Sequence, residues 1–462
     1  MSNPQNFTVA SELVGRRTIS QVIDSMPRVG LSKGAGLALF CAYFFSNYEV
    51  TVFSLVIPGL RSGLGMVAAD FAWPVVWNLV GYAVGAYAFG YLADKFGRQL
   101  GLRLTFITLG IGGLLSGFSW NVESFSFFRF LAGCGMGAVL AICSAYIGEV
   151  APANQRGRYL ARIFLFQAPL LLVAGLVSLP ILAAMPGSAW RYLLAFGGLV
   201  LLVVPLINKN HLIESPRWLE EKGRHSEARS AASHLYVGAG GEELSPDAEY
   251  LQETKEKSLT GPLRTLINSG LLPRLWLVLS FWFIFYIGMY GFYSYQTLIL
   301  EGLGITTSNA LFITVLGRIM PIVSAIGVFA IIERFERRNI VITGVMIFAL
   351  SVLLMVLGWG EWTATVGSLG TTLGIAIMVT PAYTYTAEVF PTSVRGTAAS
   401  ICDGIGHLGG AVAPLVVIPV LASYGAVAAC WAIIVCLVVS AAILLMGVKT
   451  KNRSLEEIAA DI

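Results

Sequence analysis

The stretch FGYLADKFGRQLG, residues 89–101, sets a long apolar run directly against a group of charged residues. Asp94, Lys95 and Arg98 follow the run and stand among three glycines. A helix that spans a bilayer needs about 20 mostly apolar residues, and basic residues collect at the cytosolic ends of such helices. The stretch therefore predicts the end of one membrane span and the start of another.

The composition agrees with an integral membrane protein. The 462 residues are 56% hydrophobic and 12% charged, and the mean hydropathy is +0.75. Soluble domains carry about 25% charged residues, so much of this surface is expected to face lipid. The net charge of +4 comes without a basic patch interleaved with aromatics, which argues against a nucleic-acid partner.

Twelve apolar segments are long enough to span the bilayer. They lie near 34–60, 72–93, 102–120, 125–148, 159–184, 190–208, 274–299, 307–332, 339–358, 362–387, 396–421 and 425–447. The fold class is therefore an all-α integral membrane protein with two six-helix bundles. The predicted parts are an N-terminal segment 1–33, a first bundle 34–208, a linker 209–272, a second bundle 273–448 and a tail 449–462.

The positive charges orient these spans. With both termini and the linker in the cytosol, 26 of the 30 Lys and Arg residues fall on the cytosolic side. Arg61 and Arg191 fall outside, while Arg129 and Arg318 lie within spans. This asymmetry predicts a multi-pass plasma-membrane protein with cytosolic termini, and the short first outer loop favours a bacterial inner membrane.

The chain also repeats itself at an offset of 239 residues. The offset superposes residues 94, 98, 149 and 156 on Glu333, Arg337, Glu388 and Arg395. Two parallel halves of this kind place a solute site near the bilayer midplane between them.

Several motifs carry a family resemblance. They are GYLADKFGRQ (90–99), RFLAGCGMGAVLAICSAYIGEVAPANQRGR (129–158), ESPRWL (214–219), YTYTAEVFPTSVRG (383–396) and TKNRSLEEI (450–458). Together they resemble the major facilitator superfamily, in particular its sugar-porter branch and the organic-ion and synaptic-vesicle-protein-like relatives. The resemblance implies a secondary transporter in which two halves rock around a central site.

The charged loops are expected to act as a cytosolic gate, although anchoring of the topology would also explain basic loops. Gly90 is expected to permit a close helix approach and Gly97 a tight turn. By resemblance, the loops hold the cytosolic side closed, and residues 149, 156, 388 and 395 form a ring of ion pairs there. The predicted gate residues are Gly90, Asp94, Gly97, Arg98, Glu149, Arg156, Glu333, Arg337, Glu388 and Arg395.

Ionisable residues within spans are functional-site hypotheses by default. The resemblance suggests that Glu49 takes and releases a proton and that Arg129 tunes it, while a static buried ion pair is the alternative. Asp403 and His407 share a helix face at i, i+4. They are either a second proton site or a polar patch between the halves.

The predicted solute-contacting residues include Arg318. This arginine either faces the cavity and holds a carboxylate or sulfonate, or pairs with an acid such as Asp403. The predicted set is Tyr48, Tyr286, Tyr290, Tyr293, Gln296, Arg318 and Tyr383. Sugar porters carry a Gln-Gln…Asn set in the seventh span, which is absent here, and Tyr383 replaces their Trp. Both departures favour a flat or aromatic organic ion, and an anion is expected if Arg318 faces the cavity.

The expected function is proton-coupled symport of a small organic acid by a monomer in a lipid bilayer. A sugar or polyol porter, an organic-cation or drug exporter and a non-transporting sensor are the alternatives. We expect no enzyme, since the chain carries no Walker, GxSxG or HExxH motif. No CxxC pair or metal-ligand cluster occurs either, so no metal or cofactor is expected.

Overall fold

A computed structural model describes residues 18–208, 210–242, 266, 270–324, 334–358, 360–391 and 394–450. Within these residues all regular structure is helical. Glu333, which is predicted for the second gate loop, lies outside the described residues. So do most of the N-terminal segment, the middle of the linker and most of the tail.

The first half contains six spans, preceded by the short helix α1 (Ile19–Asp24). The spans are built from α2 (Lys33–Leu64), α3 (Ala72–Phe96), α4 (Arg98–Ser116), α5 (Val122–Ala138) with α6 (Ser144–Val150), α7 (Arg156–Ala184), and α8 (Ala189–Phe196) with the 3-10 segment Gly197–Leu206. A π-helical turn, Val139–Cys143, joins α5 to α6.

Two short helices of the linker follow, α9 (Pro216–Glu221) and α10 (His225–Gly238). The second half is then built from α11 (Leu272–Tyr293), α12 (Gln296–Gly302), α13 (Thr307–Leu316), the 3-10 segment Gly317–Ile319, α14 (Arg337–Val356), α15 (Glu361–Glu388) and α16 (Arg395–Leu445).

The last helix crosses the membrane twice. Its 51 residues would extend about 75 Å if straight, against a hydrocarbon core of about 30 Å. Gly425 interrupts it with φ 80° and ψ 177°, a left-handed conformation that glycine adopts without steric cost. The described residues thus form eleven continuous apolar helices, and the break at Gly425 makes twelve spans, as the sequence predicts.

Helices suit the interior of the lipid bilayer because hydrocarbon offers no hydrogen-bond partner to a free backbone N–H or C=O group. The exposed N–H groups at helix starts are bonded by side chains instead. Ser32 accepts from the N–H of Ala35 at the start of α2, and Asn121 accepts from the N–H of Ser124 at the start of α5. These caps fix where the chain enters the bilayer.

Glycines bring α3 and α5 into backbone contact. A Cβ added at Gly133 would lie 2.0 Å from the carbonyl oxygen of Asn78, and one added at Gly85 would lie 1.8 Å from that of Cys134. Small residues allow this close approach in membrane helices. Gly90 behaves differently, because a Cβ there would have no heavy atom within 4 Å. The close approach expected at Gly90 is therefore not made in this conformation.

The linker is fastened to the first half. Glu214 accepts hydrogen bonds from the N–H groups of Arg98 (2.8 Å) and Gln99 (3.2 Å) at the start of α4. The indole of Trp218 donates to the carbonyl of Asp94 at 2.9 Å, and Tyr146 donates to that of Ile213 at 2.9 Å. We call the membrane side that carries these contacts the linker face.

The two halves meet at the other side, the opposite face. Arg61 and Glu301 form an ion pair of 3.3 Å between α2 and α12. Thr297 donates to the carbonyl of Ser54 at 2.9 Å. No ion pair between two described residues joins the halves at the linker face. The conformation is therefore one in which the opposite face is closed.

We predict that Gly133→Ala destabilises the protein. The new methyl group would force α3 and α5 apart, and overpacking of this kind costs about 1–3 kcal/mol. Thermal unfolding in detergent, followed by size-exclusion chromatography, measures the effect. Gly90→Ala is the matched control on α3 and should unfold at the wild-type temperature; equal losses for both would show that helical glycines matter here for reasons other than contact.

We predict that Glu214→Ala lowers the stability of the linker contact. The substitution leaves two partly buried N–H groups at the start of α4 without an acceptor, at a cost of about 1–3 kcal/mol. Limited proteolysis of the linker should therefore become faster, whereas Glu214→Gln, which keeps one acceptor oxygen, should resist proteolysis better than Glu214→Ala.

The same position has a predicted pH dependence. Burial raises the pKa of the Glu214 carboxyl, against the lowering effect of the N–H groups of Ser215, Gln99 and Arg98. A carboxyl group whose pKa is higher in the folded than in the unfolded protein stabilises the fold at pH values below its unfolded-state pKa. This stabilisation is lost as the pH rises through the folded-state pKa. Glu214→Gln should therefore gain stability relative to wild type between pH 4 and pH 8; a constant difference would contradict this assignment.

Candidate functional site

The charged loop of residues 94–98 forms an ion-pair cluster within the first half. Arg98 donates to Glu149 at 2.7 Å and also pairs with Asp94 one turn away. The second half repeats the arrangement, because Arg337 pairs with Glu388 at 3.4 Å. Both pairs follow the 239-residue offset, so the sequence repeat corresponds to a repeated contact.

One member of the predicted ring of ion pairs, Arg156, has a partner that the sequence did not predict. Arg156 pairs with Asp24 of α1 at 3.3 Å rather than with Glu149, and Asp24 also binds Arg217 at 2.9 Å. Arg395 donates weakly to the carbonyl of Phe390 at 3.4 Å. Arg156 thus pairs with α1 of the N-terminal segment, a contact that no sequence motif predicted.

Gly97 has φ 115° between α3 and α4. This positive φ gives the chain its turn between the two helices, and an L-residue would be strained there. The turn brings Asp94, at the end of α3, and Arg98, at the start of α4, into contact with each other. The tight turn expected at Gly97 is therefore present.

The second charged pair lies in the middle of the first half. Glu49, at the centre of α2, is fully buried and pairs with Arg129 of α5, which is 2% exposed. Asn78 donates to the carbonyl of Arg129 at 2.8 Å, and the guanidinium lies 5.6 Å from the ring centroid of Phe53. The pair predicted from the sequence is therefore assembled from two helices of one half.

One oxygen of this carboxylate is left over. Oε1 of Glu49 is buried and has no hydrogen-bond partner among the described residues. It faces Gly113 and Gly197, where an added Cβ would lie 2.5 Å and 2.1 Å from it. Two glycines therefore make the room for the carboxylate, and the free oxygen is able to take a proton without breaking the bond to Arg129.

Tyr48 belongs to this region and not to the boundary between the halves. Its hydroxyl donates to the carbonyl of Leu193 at 2.7 Å, and its ring packs against Phe44 and Phe196. Its role as a solute ligand stays a prediction.

Arg318 lies in the second half, where the short segment Gly317–Ile319 contacts helix α7 of the first half. Its side chain is partly exposed, and its guanidinium carbon lies 5.7 Å from the ring centroid of Tyr293. No carboxylate among the described residues lies within 4 Å of it. Of the two predicted arrangements, pairing with Asp403 is not observed.

Polar side chains extend from this arginine along α11, α12 and α15. Tyr293 donates to Thr372 at 3.1 Å, and Gln296 donates to Ser368 at 2.6 Å. Both hydroxyl-bearing partners are on α15 and both are buried. The result is a polar surface beside a cation that has no acid partner within 4 Å among the described residues.

A second polar group lies towards the linker face. Tyr383 donates to Asp403 at 2.7 Å, and its hydroxyl lies 3.3 Å from that of Tyr286. His407 lies 3.5 Å from the same carboxylate. Tyr290 is near as well, with its ring 6.1 Å from that of the histidine. The structure therefore brings together the predicted residues of α11, α15 and α16.

Sequence reasoning missed two residues of these sites. Gln167, on α7, is 5% exposed, and its Oε1 has no partner among the described residues. Tyr82, on α3, stacks on His407 with ring centroids 4.2 Å apart. A lone polar side chain in an apolar span was the available signal for Gln167; nothing in the sequence marks Tyr82. The described residues contain no group of three or more His, Cys, Asp or Glu able to hold a metal.

Comparison with known proteins now places the chain. The family model for "Sugar (and other) transporter" matches residues 35–462. The inner membrane metabolite transport protein YdjE of Escherichia coli is 25% identical, over 90% of this chain and 95% of that protein. The niacin transporter NiaP of Acinetobacter baylyi is 26% identical over 90% and 94%. The plastidic glucose transporter 4 of Arabidopsis thaliana is 30% identical over 92% and 79%.

Among solved structures, the xylose transporter XylE of Escherichia coli in a partially occluded inward-open conformation has a TM-score of 0.74. It is 19% identical and covers 91% of this chain and 99% of that one, which supports the fold. The family model covers far more than half of the chain. The chain therefore belongs to the sugar (and other) transporter family of the major facilitator superfamily, and it is a secondary transporter rather than an enzyme.

Proposed function

We propose that this transporter carries a small organic acid, aromatic or otherwise flat, together with protons. In this proposal the carboxylate binds Arg318, the ring packs on the tyrosines of α11, and Glu49 takes up and releases a proton. The transporter works as a monomer in a bacterial inner membrane, with both termini and the linker in the cytosol.

The observation that carries the substrate class is the unpaired Arg318. A guanidinium at mid-membrane depth is costly unless an anion or water compensates its charge, and no acid within 4 Å does so among the described residues. Its forked donors match a carboxylate with two parallel hydrogen bonds. Tyr293 beside it offers a ring face at 5.7 Å. The niacin transporter among the relatives is named for a solute of this class.

Proton coupling rests on the geometry of Glu49. A carboxylate held by one arginine and enclosed on its other side by two glycines can exist in both protonation states without rearranging neighbouring side chains. The equilibrium between its protonated and ionised forms depends on the distance to Arg129, since a nearby cation favours the ionised form. Any movement of α2 relative to α5 then changes the proton affinity, which links protonation to conformation.

The orientation rests on the positive charges. If the linker face is cytosolic, as the Lys and Arg asymmetry predicts, the closed opposite face makes this an inward-facing conformation. The Arg61–Glu301 pair then belongs to the outer gate. The Arg98–Glu149 and Arg337–Glu388 pairs each stay within one half, so neither pair holds the two halves together at the linker face.

A sugar or polyol porter is the second candidate. The buried amides Gln167 and Gln296 and the hydroxyls of Ser368 and Thr372 are groups that hydrogen-bond sugar hydroxyls. Proton influx into proteoliposomes on adding benzoate, nicotinate, xylose, glucose or an organic cation separates the candidates. Influx with an acid supports the proposal, and influx with a sugar alone replaces it by the second candidate.

We predict that Glu49→Gln abolishes accumulation driven by a proton gradient and leaves counterflow exchange of the same solute intact. The amide keeps a hydrogen bond to Arg129 but cannot carry a proton. Uptake and counterflow of radiolabelled acid in proteoliposomes measure the two activities. Glu123→Gln, at an exposed glutamate on the opposite face, is the control. Accumulation that survives in Glu49→Gln would refute the proton assignment.

We predict that Arg318→Ala weakens acid binding by roughly 10- to 100-fold, since hydrogen bonds to charged groups contribute about 1.5–3 kcal/mol. Arg318→Lys keeps the charge and should retain part of the affinity. Equilibrium binding of labelled acid measures the loss. An equal loss of binding for a neutral solute would make Arg318 a structural residue.

A further inference from the structure

His407 occupies a slot between two tyrosine rings, one from each half of the transporter. Tyr82 of α3 stacks on it at 4.2 Å with an interplanar angle of 13°. Tyr286 of α11 covers the other side at 4.1 Å and 38°. The histidine itself is on α16 and is 5% exposed. Its ring therefore lies at the boundary where the two halves meet.

The hydrogen bonds of His407 determine which of its ring nitrogens is available to a solute. Nδ1 lies 2.8 Å from the carbonyl oxygen of Asp403. A carbonyl only accepts, so Nδ1 carries a proton and donates it there. Nε2 has no hydrogen-bond partner among the described residues, and it is not completely buried. The nitrogen that can gain or lose a proton is therefore the one that remains accessible.

The groups around this ring carry negative charge or present ring faces. Asp403, on the same helix, has an oxygen 3.5 Å from Nδ1. Tyr383 of α15 bonds that carboxylate, Tyr82 comes from α3, and Tyr286 and Tyr290 come from α11. Within the described part of the chain, no lysine or arginine pairs with Asp403 or lies over these rings. An imidazolium here is in contact with two ring faces, an arrangement that attracts cations.

The histidine and Arg318 lie at two ends of one row. Tyr286, beside His407, and Tyr293, beside Arg318, are seven residues apart on α11, which corresponds to about 10 Å along the helix. Tyr290 lies between them. A flat acid of one aromatic ring can therefore contact the guanidinium at one end while its other end approaches Nε2.

We propose that protonated His407 binds the transported acid, donating a hydrogen bond from Nε2 to a second acceptor at the end of the molecule remote from its carboxylate. The substrate class is thereby narrowed to acids with acceptors at both ends, such as a pyridine carboxylate or an aromatic dicarboxylate. This inference rests on the proposed function, because Arg318 holds the carboxylate.

In this proposal His407 is a second group whose protonation is linked to transport, and its contacts differ from those of Glu49. Glu49 is enclosed within the first half, whereas His407 contacts both halves and the solute. The proton comes from water and remains on Nε2 while the acceptor is bound. Only the protonated ring carries a proton on both nitrogens, so the proposal predicts that recognition of the second acceptor weakens as the pH rises.

The test compares benzoate with isonicotinate, which differs by one ring nitrogen opposite the carboxylate. Calorimetry on the purified full-length protein measures both affinities at pH 6 and pH 8. We expect isonicotinate to bind at least tenfold more tightly than benzoate at pH 6 and less than threefold more tightly at pH 8. At pH 8, two buffers of different ionisation enthalpy should reveal proton uptake with isonicotinate and none with benzoate.

Two variants locate the effect. His407→Phe keeps the stacked ring and should bind benzoate and isonicotinate with equal affinity, without any preference for isonicotinate. His407→Gln keeps a donor that does not titrate, so its preference should not depend on pH. A preference that persists in His407→Phe, or equal binding of both acids to wild type, overturns the inference and leaves the proposed function standing. Wild-type protein that binds neither acid overturns both.

Discussion

The cost of placing a charge in hydrocarbon controls how this transporter is built. A charged side chain near the bilayer centre must be paired, or must face a space that water or a solute can enter. Glu49 and Arg129 follow the first rule inside one half. Arg318 has no acid partner within 4 Å among the described residues, and under the proposed function it follows the second rule where its segment contacts α7 of the other half. The ion pair and this cation therefore suit different tasks.

Much of the fold follows from this constraint and was predictable from the sequence. Spans had to be long, apolar and helical, and the last helix had to break because 51 residues exceed two bilayer cores. The 239-residue offset predicted that Arg337 and Glu388 would repeat what Arg98 and Glu149 do, and they form equivalent pairs. Partner choice for Arg156 was not predictable, because Asp24 lies in a polar segment without periodicity.

The site could be predicted only in part, for a physical reason. Depth along a helix follows from residue number, so Glu49, Arg129 and Arg318 were recognisable as mid-membrane charges. Which helices are neighbours does not follow from one sequence. Whether Arg318 pairs with Asp403 therefore stayed open until the distances were known. Tyr82 was invisible for the same reason, since it matters only because α3 lies against α16.

The attachment of the linker has a mechanical consequence. Glu214, Trp218 and Ile213 all bond to the first half, and Asp24 connects α1 to the same body through Arg156 and Arg217. In a rocking motion these helices move together with the first half, so their charged side chains change position relative to the second half. The described part of the linker is thus attached to the first half, and a probe placed on α9 or α10 would report rotation of the first half alone.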